Sequence, residues 1–111
     1  MFRFTVLYGH PKDPAEFERY YRDVHMPLVM KVKGLRSVST TKFGPGPRGE
    51  QPPYYRMAAL FANTAEEFNE IMATPEGRAA SADLPNFATG GVTILYGEED
   101  VTTPASWPSG R

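Results

Sequence analysis

Two helix-start signatures divide this chain, and each stands between segments whose apolar residues alternate with a period of two. Asp13-Pro14-Ala15-Glu16 supplies an N-cap, a proline at the first helical position and a glutamate at the third, and Thr64-Ala65-Glu66-Glu67 repeats the capping-box pattern. Before the first signature, Phe2, Phe4, Val6 and Tyr8 alternate with Arg3, Thr5 and Leu7, which reads as a strand. Gly9-His10-Pro11 turns the chain into a helix that carries Phe17, Tyr20, Tyr21 and Val24 on one side. Glu16, Glu18, Arg19, Arg22 and Asp23 cover the other.

After Gly34 a second strand is expected over about Leu35 to Phe43 and a third over Tyr54 to Ala62. The loop "FGPGPRGEQPP" joins them as an elongated hairpin. The second signature opens a helix that buries Phe68, Ile71 and Met72, and Thr74-Pro75 caps a shorter one to roughly Ala82. Asp83-Leu84-Pro85-Asn86 ends it, and "VTILYG", Val92 to Gly97, is the last strand.

The order β-α-β-β-α-β, with a small extra helix before the final strand, is the split arrangement of ferredoxin-like α+β folds. It places one antiparallel sheet under helices on a single face. Residues 1–98 form that domain, and 99–111 an extended or poorly packed tail. The other face of the sheet, rich in Thr, Ser, Arg, Tyr and Leu, suits a partly polar cavity or a subunit interface better than open water. Two such sheets facing each other close into a barrel, so a homodimer is expected.

Composition narrows the function. A length of 111 residues allows one real core. A net charge of −1 leaves no basic field for nucleic acid or an anionic membrane. No cysteine is present, which removes disulfides, thiolate nucleophiles and Cys-ligated zinc together. The N-terminal "MFRFTVLYG" reads as a strand rather than a signal peptide, and no apolar run approaches the roughly 18 residues of a membrane span. The expected address is the cytoplasm.

Candidate chemistry centres on "ERYYRDVHMPLV", where a histidine runs into Met-Pro. Pro27 lacks an N–H, and its ring clashes with the carbonyl of Asp23, so the helix is expected to end or kink near Val24 to Met26. His25 falls about 80° from Phe17 around the wheel at roughly 100° per residue, at the edge of the apolar face. There it would lie beside free carbonyls at a helix C-terminus, which favour its protonated form. Two readings follow. Either His25 braces the break through those carbonyls, or it exchanges protons with a ligand near neutral pH.

The segment "FERYYRDVHMPLVMKVKGL" resembles the signature of the EthD family, an aromatic residue followed by Val-His-x-Pro-Leu, a basic residue and Lys-Gly-Leu. "VLYGHPKD", "PPYYRMAALFA" and "TPEGRAASADLPNFATGGVTILYGE" agree with it, over about residues 1–98. The resemblance implies a dimeric α+β barrel, related in fold to muconolactone isomerases, polyketide cyclases, cofactor-independent monooxygenases and haem-degrading proteins. In some relatives, such as the methylmuconolactone isomerase-like proteins, the histidine of this segment is used in catalysis. Here that histidine is His25.

Other candidates carry two readings each. Tyr8, at the end of the first strand, either donates to a developing enolate oxygen or is a core-edge tyrosine. Arg56 interrupts an apolar strand, to bind a carboxylate or phenolate in the cavity or to pair across the dimer. Tyr21 belongs to the apolar stripe and is a candidate substrate contact. Asn86 and Phe87 either shape the pocket wall or anchor the loop before the last strand. His10 is expected to be an exposed turn residue. No metal and no cofactor are expected: the two histidines lack acidic neighbours at ligand spacing, and no phosphate-binding or nicotinamide motif is present. Two functions stand: a cofactor-free enzyme moving a proton on a small hydrophobic compound, or a non-catalytic dimer binding such a molecule.

Overall fold

The computed structural model describes residues 1–107. Its elements run β1 (Phe2–Tyr8), α1 (Pro14–Tyr20), a π-helical turn (Tyr21–His25) and α2 (Met26–Met30). Then come β2 (Ser37–Lys42), β3 (Arg56–Ala62), α3 (Ala65–Met72), α4 (Pro75–Ala82), a 3₁₀ turn (Leu84–Asn86) and β4 (Val92–Glu98). The four strands form one antiparallel sheet in the order β2-β3-β1-β4, the ferredoxin-like topology. Residues 99–107 leave β4 and are mostly exposed. The end of the expected tail, residues 108–111, lies outside the described residues.

The helix starts act as their sequence suggests. Asp13 Oδ1 accepts from the Glu16 N–H at 3.2 Å, Thr64 Oγ1 from Glu67 at 3.1 Å and Thr74 Oγ1 from Gly77 at 3.2 Å. Each satisfies one of the donors that a helix start leaves unpaired.

Ring contacts settle which face of the sheet is covered. Phe2 and Phe4 meet Phe68 of α3, and Tyr8 meets Phe17 of α1. By register, Arg56, Ala58, Leu60 and Ala62 of β3 and Val38 of β2 share that side. Tyr8, Phe17, Tyr21 and Phe87 form a quartet whose centroids all lie between 5.2 and 5.9 Å apart. At about 1.5–3 kcal/mol for each buried ring, this quartet is what clamps α1 and the following turn to the sheet.

The helix does not stop at Pro27: the irregularity expected near Val24 to Met26 takes the form of a π turn over Tyr21–His25, and a new helical element starts at Met26. Met26 is helical (φ −61°, ψ −37°), and its N–H donates to Tyr21 O, five residues back. The widened π turn lies directly ahead of the proline, so Pro27 falls in the first turn of α2, where its missing donor leaves no bond unmade. The clash that would stop a regular α-helix is absorbed by one wide turn. His25 therefore lies inside a continuous helical stretch rather than at a C-terminus.

At the far end of β1 the chain makes a close crossing. Gly9 N–H donates to Gly91 O at 3.0 Å, and a Cβ on Gly9 would lie 2.2 Å from Gly90 O. Backbone cannot yield as a flexible side chain can. Gly9→Ala is expected to destabilise the fold by about 1–3 kcal/mol, seen as a lower urea midpoint at unchanged slope.

Candidate functional site

Sheet and helices line a half-open cavity of about 40 Å³ within the single chain, on the covered face of the sheet. At roughly 10–15 Å³ of such space for each water, it holds about three. Its wall is largely carbon: Val6, Ala58, Leu60, Val29 and two unbranched methionines, Met26 and Met72. Tyr8, Tyr21 and His25 also line it.

The imidazole is not spent on backbone carbonyls. His25 Nδ1 lies 3.0 Å from Asp83 Oδ2, and the two residues are 4% and 6% exposed. The other carboxylate oxygen, Oδ1, accepts from the Tyr20 hydroxyl at 2.6 Å and from Asn86 Nδ2 at 2.9 Å. Asp83 is thus the hub joining the first helix to the loop after α4.

Burial pushes the Asp83 carboxyl up, but the bonds from Tyr20, Asn86 and His25 outweigh it and hold the group below the usual carboxylate range. For His25 the balance is the reverse. Burial lowers its pKa, and the bond and charge of Asp83 do not restore it. The protonated form expected from a helix C-terminus is therefore disfavoured. At neutral pH the pair is an ionised carboxylate beside a neutral imidazole. A carboxylate only accepts, so Nδ1 carries the proton and Nε2 holds a free lone pair. Nε2 makes no hydrogen bond among the described residues.

Tyr8 is 1% exposed, and burial drives its phenol far above its ordinary value. Burial also pushes Tyr21 up to about 12, with the Arg56 guanidinium pulling the other way. The rings of Tyr21 and His25 stack at 5.7 Å and 26°, one helical turn apart on the same face. Arg56 does not line the cavity. Its Nη2 is 2.6 Å from Glu18 Oε1, its Nε is 3.3 Å from Oε2, and its Cζ lies 4.8 Å from the Tyr21 ring centroid. Phe87 is also outside the wall: it is 4.6 Å from the His25 ring and stacks on Tyr20. His10, half-buried, bonds through Nε2 to Pro52 O at 2.7 Å and ties the β1 turn to the Gly/Pro loop.

Sequence reasoning treated Asp83 only as a helix stop. One local signal does mark it. Asp83 caps the C-terminus of α4, where the helix dipole disfavours negative charge, so a buried carboxylate there needs donors from elsewhere. Which donors could not be read, because His25 lies 58 residues away. Among the described residues no three His, Cys, Asp or Glu side chains cluster as a metal would require, and no helix is long and apolar enough to cross a membrane.

An antiparallel sheet in this order, covered on one face, with a histidine–aspartate pair against an apolar cavity, defines a ferredoxin-like α+β protein built around a small buried site. The chain belongs to the EthD family, whose EthD domain matches residues 10–91. It is 38% identical over 104 residues to an uncharacterised 11.0 kDa protein from the thcB–thcC intergenic region of Rhodococcus erythropolis, covering 94% of this chain and all of that one. An EthD family protein from Bacillus halodurans superposes with a TM-score of 0.83 at 33% identity, over 90% of this chain and 99% of the other. A dimeric protein of ferredoxin-like fold from Bacteroides fragilis gives 0.62 at 14% identity, over 88% and 95%.

Proposed function

We propose that this chain is a cofactor-free enzyme that moves a proton on a small, mostly apolar, carbonyl-bearing compound, with His25 as general base. The observation that carries this reading is the imidazole with Nδ1 held by Asp83 and Nε2 left free beside an apolar cavity. Nε2 takes a proton from the carbon next to the carbonyl, the C–H pair becomes part of a C=C bond, and charge moves to the oxygen. Asp83 stays ionised and stabilises the imidazolium, which returns the proton to carbon. Isomerisation, cyclisation and dehydration share this first step. A ring compound exceeds 40 Å³, so binding one requires the wall to give, and Met26 and Met72 are its most adaptable members because an unbranched thioether repacks readily.

The protein works as a homodimer in this proposal, in the cytoplasm, which suits a chain without cysteine. The sheet's open face carries Leu7, Met57, Phe61 and Leu95 among Ser37, Ser39, Thr41 and Thr93, with Arg3 paired to Glu99 at one end. Such a face pairs well with a second copy into a barrel. The competing reading, a non-catalytic dimer that binds a small hydrophobic molecule, draws on the small size of the cavity.

Proton exchange next to the carbonyl of a panel of cyclic ketones, followed by NMR in D₂O, separates the two. Acceleration by the protein is expected. Ketones that bind without exchanging would leave only the binding reading. Because burial lowers the His25 pKa, the rate is expected to rise with pH along a limb centred below 6.5 and then level off. A limb at or above 6.5 in the kcat/KM profile would contradict the assignment of His25.

A further inference from the structure

The His25–Asp83 pair leaves two phenols of the cavity, Tyr8 and Tyr21, unexplained, and of these the Tyr21 hydroxyl is the one with no accessible surface. The Tyr21 hydroxyl is buried, on a residue only 4% exposed that lines the same cavity as His25, and apart from a long contact with the Tyr8 hydroxyl it has no hydrogen-bond partner. A buried hydroxyl without a partner weakens the fold, and natural interiors rarely keep one unless something else is to fill the bond. Here the neighbouring groups are arranged around its ring. Arg56 holds its guanidinium over the Tyr21 face at 4.8 Å, and Glu18 fixes the guanidinium through both carboxylate oxygens. Tyr8 stands edge-on to Tyr21 at 5.7 Å.

A cation over a phenol ring stabilises negative charge that builds up when the hydroxyl donates to an anionic acceptor. The charge of Arg56 is thus felt in the cavity without its side chain entering it. Among the described residues the cavity wall holds no Lys, Arg, Asp or Glu. Its ligand should therefore be neutral on entry and gain charge only during reaction.

We propose that the Tyr21 hydroxyl is the oxygen-binding donor of this cavity, receiving the carbonyl or phenol oxygen of a compact, neutral ring compound, and that Arg56 is a positioning residue that strengthens this donor through the ring. The assignment builds on the proton-transfer reading of His25 for the direction in which charge develops. As the α-carbon loses its proton to Nε2, electron density arrives on the substrate oxygen. Tyr21 meets it with a hydrogen bond and keeps its own proton, so no further group is oxidised, reduced or released. The base and the donor sit on one helical turn, 5.7 Å apart between ring centroids, close enough to address two neighbouring atoms of one small molecule.

The test uses the full chain and two matched probes, 4-nitrophenol and 4-nitrotoluene, which differ in the oxygen. Tyr21→Phe removes only the orphaned hydroxyl, so its melting temperature is expected to equal or exceed that of the wild type. Binding of 4-nitrophenol should weaken at least tenfold in Tyr21→Phe, while 4-nitrotoluene binds both forms alike. In Arg56→Met the apparent pKa of bound 4-nitrophenol, read from its absorbance, should rise, and Arg56→Lys should bring it part of the way back. A purely structural arginine would not move that pKa.

Equal losses for both probes, no loss for 4-nitrophenol, or no binding of 4-nitrophenol by the wild type would each overturn the proposal. The reading of His25 fails separately. If Tyr21-dependent binding appears and no ketone exchanges its α-proton on the wild-type protein, the oxygen site stands and the base does not.

Discussion

Asp83→Ala is expected to lower the unfolding free energy by about 3 kcal/mol, among the largest effects available to a single side chain here. The carboxylate accepts from Tyr20, His25 and Asn86, and each bond to an ionised acceptor contributes about 1.5–3 kcal/mol. The sum is less than threefold, because Tyr20 is only half-buried and Asn86 is exposed, so both can turn to water. His25 cannot: its Nδ1–H would be left in an apolar interior. Urea denaturation at pH 7 measures the loss, and a cost below about 1 kcal/mol would mean that the hub does not hold the helix to the loop.

The same pair fixes the sign of the pH dependence. In the folded state His25 titrates below its ordinary 6.5 and Asp83 below 3.8. As pH falls through 6.5 the unfolded chain takes up the histidine proton first, so stability declines from there until folded His25 titrates. Asp83 adds a further loss below 3.8, as pH falls through its own folded value. Unfolding midpoints should be flat above about pH 7 and drop on the acid side. A rise in stability between pH 7 and 5 would show that the imidazole is held protonated.

His25→Gln is expected to reduce proton exchange on a responsive ketone by about 10²–10⁴-fold, the range for loss of a positioned base. The glutamine amide can still donate to Asp83, so the fold should survive and kcat should fall far more than KM changes. Asp83→Asn offers the sharper comparison. An amide facing Nδ1 presents a donor, which pushes the imidazole into the tautomer protonated on Nε2 and removes the lone pair without removing the ring. Because base and orienting group act as one unit, the double variant should be no worse than His25→Gln alone. Additive losses would mean that Asp83 serves stability only.

The fold could be read from local rules. Alternation gave the four strands to within two residues at most ends, and Asp13, Thr64 and Thr74 marked the helix starts by their capping chemistry. One local rule was half right: Pro27 was expected to end or kink the helix near Val24 to Met26, and the chain widened a single turn there and carried on as helix. That choice is tertiary. The aromatic quartet of Tyr8, Phe17, Tyr21 and Phe87 holds the turn against the sheet, through contacts that no short window of sequence shows.

The site divides along the same line. Sequence alone singled out His25, Tyr8 and Tyr21, because a histidine before Met-Pro and aromatics at helical spacing are visible in any short window. It could not find Asp83 as the partner of His25, nor Glu18 as the partner of Arg56, since hydrogen bonds between residues 58 and 38 positions apart leave no periodic trace. Nor could it say which face of the sheet lines the cavity, or that the Tyr21 hydroxyl is left without a close partner. Capping and periodicity act within a few residues and fix the elements. Desolvation and pairing act through space, and only the folded chain decides which groups they join.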